Sequence, residues 1–351
     1  MSKIAFDEKE LTVQGMYPEE GTWYGGPYMP VQQLSPPASP AENLINYYQK
    51  KPVQWIPDIL GDCFDITPDC IPDVVACGFA GGYDTFGVKW IPDTSCPDLP
   101  SFVEPGFTVL EEIENWKDLP WPDADSWDWK GCAAKYNETL KGDNRLRRGI
   151  LLSGYFERLI SIMGFEGAAM AMIEDPDSVG EFFDALTDLN IKITDHYIDD
   201  FGCKAIMIHD DWSAQRSPFF SPDCCMEVIV PCLKRLADHC HERGIFITLH
   251  SCGNGLSLIP CMKAAGVDAW QAQDTALDLD AAYAAIDDAF VFETYPSVPE
   301  GIRGAELEAY VRGMLERCNK CGRSILEFYD FEPDRGFETR KLAYKIGREL
   351  A

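Results

Sequence analysis

Gly244-Ile245-Phe246-Ile247-Thr248-Leu249-His250-Ser251-Cys252-Gly253-Asn254-Gly255 bears on both the fold and the chemistry of this chain. A short apolar run bounded by glycines reads as a buried strand. Side chains alternate faces along a strand, so His250 and Cys252, two apart, point the same way. An imidazole and a thiolate on one face of a strand end form a two-point clamp for a soft divalent metal, and zinc suits that pair best. The glycines that follow let the chain turn tightly. An H-x-C pair alone is a weak signal, because most His and Cys residues near a strand end pack or bond locally. Its weight depends on what the neighbouring strands bring to the same place.

Working outward, the pattern is regular from about residue 148. Gly149–Leu152, Ala205–Ile208, Val267–Gln271, Phe290–Glu293 and Ser324–Phe328 read as further strands. Between them lie helices near 156–175, from Asp177-Ser178 to Gly202, from Ser221-Pro222-Asp223 to Gly244, and over about 304–317, with a last helix over about 337–350. The helix after Ser178 carries Val179, Phe182, Phe183, Leu186, Leu189, Ile193 and Tyr197 on one stripe. Alternating helices and continuously apolar strands predict a parallel sheet, and the number of repeats favours a (β/α)8 barrel. Neither a Gly-rich dinucleotide fingerprint nor a P-loop is present. Residues 55–130 are loop-heavy, with a hairpin expected around Gly81–Trp90. Residues 1–39 form an irregular arm with Tyr17, Trp23, Tyr24 and Tyr28, expected to pack on a barrel spanning 40–351.

In such a barrel the C-terminal ends of the strands converge and carry the chemistry. Those ends offer Ser153, Tyr155 and Glu157; Asp210 and Asp211; His250 and Cys252; Gln273 and Asp274; Glu293; and Glu327 with Asp330. A catalytic zinc usually has three protein ligands and one open position. Cys318 and Cys321 precede the last strand, which puts them at the opposite mouth, so the third ligand is expected to be Glu327, ahead of Glu293 and Asp330. Asp210, Glu157 and Tyr155 are expected to line the pocket above the metal, a carboxylate protonating a leaving oxygen or holding substrate. Asp211, Gln273, Glu293 and Tyr329 are the candidate substrate contacts. The bland alternatives are that at least one of Asp210 and Asp211 caps the following turn, and that His209 bonds locally.

The chain of 351 residues has a formal net charge of −28 and a pI near 4.4. So acidic a protein is repelled by nucleic acid and by anionic membrane surfaces. The start turns acidic too soon for a secretory signal, and no apolar run approaches the length of a membrane span. With 14 scattered cysteines, these features set the expectation of a cytoplasmic enzyme.

The residues discussed resemble the uroporphyrinogen decarboxylase superfamily from about 40 to 350. The matching pieces are the Ser39-Pro40-Ala41-Glu42 helix start, Asp84-Thr85-Phe86-Gly87-Val88-Lys89-Trp90, Tyr155-Phe156-Glu157-Arg158 with Gly164-Phe165-Glu166, Asp210-Asp211-Trp212 before Ser221-Pro222, and His250-Ser251-Cys252-Gly253. The resemblance implies a (β/α)8 barrel. Its decarboxylases grip a porphyrinogen with an arginine-rich N-terminal segment, whereas residues 14–34 here contain no arginine or lysine and carry Glu19 and Glu20. Its other branch is similar to zinc- and cobamide-dependent methyltransferases, whose H-x-C is completed by a distant cysteine. His250 and Cys252 match the first part, and Leu326-Glu327-Phe328-Tyr329-Asp330 stands where the cysteine would be.

That resemblance implies methyl transfer between a small molecule and a corrinoid (cobalamin) carried by a separate protein, with zinc as Lewis acid. A carboxylate in place of a thiolate makes the metal harder and suits an oxygen ligand, which points to demethylation of a methyl ether, an aromatic one if the arm's aromatics enclose the substrate. The alternatives are a methylcobamide:thiol methyltransferase, a decarboxylase-like lyase, and a module that binds corrinoid or metal without turnover.

Overall fold

The computed structural model describes residues 3–18, 30–76, 78–96, 99–328, 330 and 332–351. Seven parallel strands form its centre: β1 (Cys63–Ile66), β2 (Leu146–Leu151), β3 (Ala205–His209), β4 (Phe246–Ser251), β5 (Ala269–Ala272), β6 (Val291–Thr294) and β7 (Ser324–Leu326). They pair in chain order, from β7 through to β1. The helices flanking them include α1 (Pro40–Tyr48), α2 (Trp129–Thr139), α3 (Tyr155–Glu174), α4 (Pro176–Asp199), α5 (Val230–Glu242), α6 (Ile259–Ala265), α7 (Leu279–Ile286), α8 (Gly304–Cys321) and α9 (Pro333–Leu350).

The sheet is curled, and one side chain proves it. Arg148 on β2 touches Asp65 on β1 and also Glu293 on β6, at 2.7 and 3.0 Å. Strands β2 and β6 are four ladder steps apart, roughly 19 Å in a flat sheet. Only a sheet rolled around a lumen brings them together. The expected barrel is therefore present as a curled seven-strand parallel sheet, with β1 and β7 as its edges among the described residues.

α1 closes the N-terminal end of the lumen. Its Leu44 and Tyr48 pack with Cys63, Leu146, Ala205, Ala269, Val291 and Ile325, the first lumenal residues of six strands. Its Tyr47 hydroxyl bonds the backbone of Ser324 on β7. α1 thus blocks the N-terminal end of the lumen.

The hairpin expected near 81–90 is present, Gly82–Tyr83 pairing antiparallel with Lys89–Ile91. It is tied to α3 by buried Arg158, which bonds Asp73 at 2.6 Å and Asp84 at 2.7 Å. Elements not anticipated include β1, inside the loop-heavy stretch, and α2, at its end. Of the arm, Glu10 bonds Arg348 and Tyr344 of α9, and Tyr17 is buried against Arg145. Glu19, Glu20, Trp23, Tyr24 and Tyr28 lie outside the described residues. No helix among the described residues is long and apolar enough to cross a membrane.

Candidate metal centre

The alternation that puts His250 in the lumen also lifts Cys252 beside it, the two separated by 3.4 Å between Nε2 and Sγ. His250 is buried, and its Nδ1 lies 2.7 Å from Gln271 Oε1 on β5. A carbonyl oxygen only accepts, so Nδ1 carries the proton and Nε2 is the basic nitrogen turned toward Cys252. Metal-ligating histidines are oriented by such a contact.

Asp211 completes the group. Its Oδ1 accepts the Cys252 amide at 2.6 Å and lies 3.8 Å from His250 Nε2. His209, on the neighbouring strand, stacks its ring on His250 with centroids 4.4 Å apart. Its Nδ1 bonds Glu157 Oε2 at 2.7 Å. His209, Asp211 and His250 each present a ligand atom, all within 4.8 Å of one another. Tyr295 closes the other side, its hydroxyl 3.5 Å from Cys252 Sγ.

The turn after β4 is held from both sides. Gly253 has φ +77°, and a Cβ there would meet the Ser213 carbonyl oxygen at 2.3 Å, so glycine is required for the approach. Its amide bonds Gln273 Oε1, which also accepts from Gln215. Gln273 therefore braces the loop that carries Cys252.

The electrostatics are those of a cation site. Burial, reinforced by the Asp211 charge, pushes the Cys252 thiol up to about 12. Burial and the neighbouring His209 hold His250 well below the usual imidazole range. For His209 burial works against the charge, but Glu157 outweighs it and raises the ring to about 8. A thiol, a neutral imidazole and a carboxylate within bonding reach fit a divalent cation, which would draw the thiol to thiolate. Of the residues present, His250, Cys252 and Asp211 would hold zinc, with His209 beside them.

Several expected residues sit elsewhere. Glu327 is not part of the group. Alternation places it on the lumenal face above Ile325, and the charges around it are Asp58, Asp65, Arg148 and Glu293. Glu293 is held in the mid-lumen, Oε2 on Arg148 and Oε1 accepting from Tyr48, as a member of a buried ion pair. Asp210 points the opposite way from His209 and Asp211. It accepts the amides of Tyr155, Phe156 and Glu157 and the Trp212 indole, pinning the start of α3. Burial and the Glu157 charge raise it to about 7 against the pull of those donors. Tyr155 faces the helical layer, its hydroxyl on Thr187 and its ring on Phe183. Asp330 bonds Arg335 and Thr339, and Cys318 Sγ lies 2.9 Å from Tyr283 Oη. Tyr329 lies outside the described residues. Of the expected pocket acids, Glu157 reaches the site, through His209. The sequence reading passed over His209, Gln271 and Tyr295 as site residues. The first two share the lumenal face with His250, and alternation along β3 and β5 was the available signal.

A curled parallel sheet with an H-x-C strand end and an acid-oriented histidine is a TIM-barrel-like fold with a cluster of possible metal ligands at its mouth. Residues 152–320 match the family model for uroporphyrinogen decarboxylase (URO-D). That match covers just under half of the chain and supports the uroporphyrinogen decarboxylase superfamily. No curated protein matches the sequence. Among solved structures, it is similar to a glycosylated endo-β-1,4-xylanase from Gloeophyllum trabeum, at 10% identity over 65% of this chain and 82% of that one, TM-score 0.38. It is similar to a family 2 AP endonuclease from Brucella melitensis, at 15% identity over 57% and 78%, TM-score 0.37. A D-psicose 3-epimerase is 12% identical over 70% and 87%, TM-score 0.36. At these scores the likenesses carry no argument about activity.

Proposed function

We propose that this protein is a zinc-dependent methyltransferase that moves a methyl group between a small substrate and a corrinoid carried by a partner protein. The observation that supports it most is the approach of His250 Nε2 and Cys252 Sγ to 3.4 Å, with Asp211 alongside. Zinc bound by His250, Cys252 and Asp211 would supply Lewis acidity at the mouth of the lumen.

The protein's own residues do the rest. Gln271 fixes the tautomer and tilt of His250. Asp210 fixes the first turn of α3 and so the height of Glu157. Glu157 in turn orients His209, which holds a proton beside the ligand group and delivers it to the oxygen from which the methyl group departs. The plug of α1 at the far end keeps the lumen a blind pocket, so substrate and corrinoid meet at one mouth. One thiolate and one carboxylate make a harder donor set than two thiolates, which favours an ether oxygen over a thiol as the group at the metal. We therefore place the activity as O-demethylation of a methyl ether.

The test is to load the protein with zinc and supply a reduced corrinoid protein with a panel of methoxylated aromatics, following methyl-corrinoid and phenol. Turnover only with thiols and pre-methylated corrinoid would replace the ether by a thiol acceptor. The family match also favours a decarboxylase-like lyase, and decarboxylation of a porphyrinogen in place of methyl transfer would establish that activity instead.

A further inference from the structure

The lumen is rich in carboxylates and its cations are spent. Arg148 lies between Asp65 and Glu293, and Arg158 between Asp73 and Asp84; both guanidinium groups are about 1% exposed. The mouth loops 152–157, 252–258 and 273–278 contain no lysine or arginine. Residues 14–34 contain none either, and Arg335 at the last loop is occupied by Asp330. A ligand carboxylate entering this lumen therefore meets Asp211, Glu157 and Glu327, while the basic groups near the mouth include His209, held by Glu157, and the exposed Arg216 on the loop after β3.

Glu327 is different from the other lumenal acids. Asp65 and Glu293 share Arg148, and Glu157 has His209. The Glu327 carboxylate, which is half-buried, makes no hydrogen bond or ion pair among the described residues. It follows β7 on the lumenal face, at the level of Tyr295, since its amide bonds the Thr294 carbonyl. A second lumenal group lacks a partner among the described residues. Thr248, fully buried two residues below His250, has a hydroxyl with no hydrogen-bond partner. A lumenal carboxylate without a partner is complementary to a donor-bearing cation.

We infer that the methyl donor of this site carries a cationic amine, which Glu327 receives, and bears no carboxylate. The inference rests on the proposed methyl-transfer function for the identity of the reacting end. The charge preference of the lumen can be measured without turnover.

The experiment is calorimetric binding to the zinc-loaded protein of three probes that share one methoxyphenol ring: methoxytyramine with an ammonium, guaiacol with no charge, and vanillate with a carboxylate. Methoxytyramine is expected to bind about ten-fold tighter than guaiacol, with vanillate weakest. Glu327→Gln should remove the ammonium advantage and leave guaiacol binding unchanged, which also reports that the variant is folded. Arg216→Ala, at an exposed position on the loop after β3, should leave the order unchanged. Vanillate binding as tightly as methoxytyramine, or an ammonium advantage that survives in Glu327→Gln, overturns the inference. The expected binding order with no methyl transfer from any probe upholds the charge preference and removes the methyl-transfer function.

Discussion

Two polar clusters share the lumen, and they differ in whether they close on themselves. In the middle, Tyr48, Glu293, Arg148 and Asp65 form a chain in which Arg148 is paired bidentately with Asp65 and again with Glu293. Nearer the mouth, His250 Nε2 lies 3.4 Å from Cys252 Sγ and 3.8 Å from Asp211 Oδ1. The first cluster satisfies its own charges and holds the curled sheet together. Under the proposed function the second is completed by zinc. Buried polar residues at strand ends look alike in a sequence; closure of the network separates scaffold from site.

The contrast is sharpest in its largest consequence. Arg148→Met leaves Asp65 and Glu293 buried without their cation, and loss of one partner of a buried pair costs about 3–5 kcal/mol. Chemical denaturation should show that loss, and a cost under about 1 kcal/mol would put the two clusters on the same footing. His250→Ala should have the opposite profile: stability of the metal-free protein within about 1 kcal/mol of wild type, but zinc retention and methyl transfer abolished. Gln271→Ala should weaken zinc binding about 10- to 100-fold through the unanchored imidazole, read by competition with a chelator.

What the sequence made legible was the direction of each chain segment, and what it hid was height and company. The strand ending at His250 and Cys252, the helix ends at Gly202 and Gly244, and the hairpin near 81–90 all follow from local pattern. Strand β1 was missed because Cys63-Phe64-Asp65-Ile66 is four residues long and carries a charge, in a stretch dominated by proline and aspartate. Its Asp65 is explained only by Arg148, 83 residues away. Asp210 and Asp211 are neighbours whose roles depend on facing opposite ways, one onto the start of α3 and one into the lumen. Counting alternation from His209 separates them. Tyr155 belongs to the first turn of α3, where the face presented is set by helix packing. Glu327 does share the lumenal face with His250, but the strands between them set a separation that no sequence spacing encodes.

Two smaller effects refine the picture. Burial, with Asp58 and Asp65 adding to it, raises the Glu327 carboxyl from 4.5 to about 8. A carboxyl whose folded pKa exceeds its unfolded value is held best when protonated. Its contribution is whole below about pH 4.5 and is lost as pH rises to about 8. Glu327→Gln should therefore match wild-type stability in acid and exceed it progressively across that window, in denaturation series at fixed ionic strength. A pH-independent difference would place Glu327 in contact with solvent. Tyr155→Phe removes the bond to Thr187 and should cost about 1 kcal/mol of stability with methyl transfer unchanged. A fall in transfer with stability intact would bring Tyr155 back to the reacting centre.

The most direct measurement of the metal centre is X-ray absorption at the zinc edge of the zinc-loaded protein, beside Cys252→Ser and Asp211→Asn. The account predicts one zinc per chain with a single sulfur at about 2.3 Å and nitrogen or oxygen ligands at about 2.0–2.2 Å. The sulfur shell should vanish in Cys252→Ser, and affinity should fall in Asp211→Asn. A zinc with no sulfur neighbour, or one unchanged by both substitutions, would contradict it.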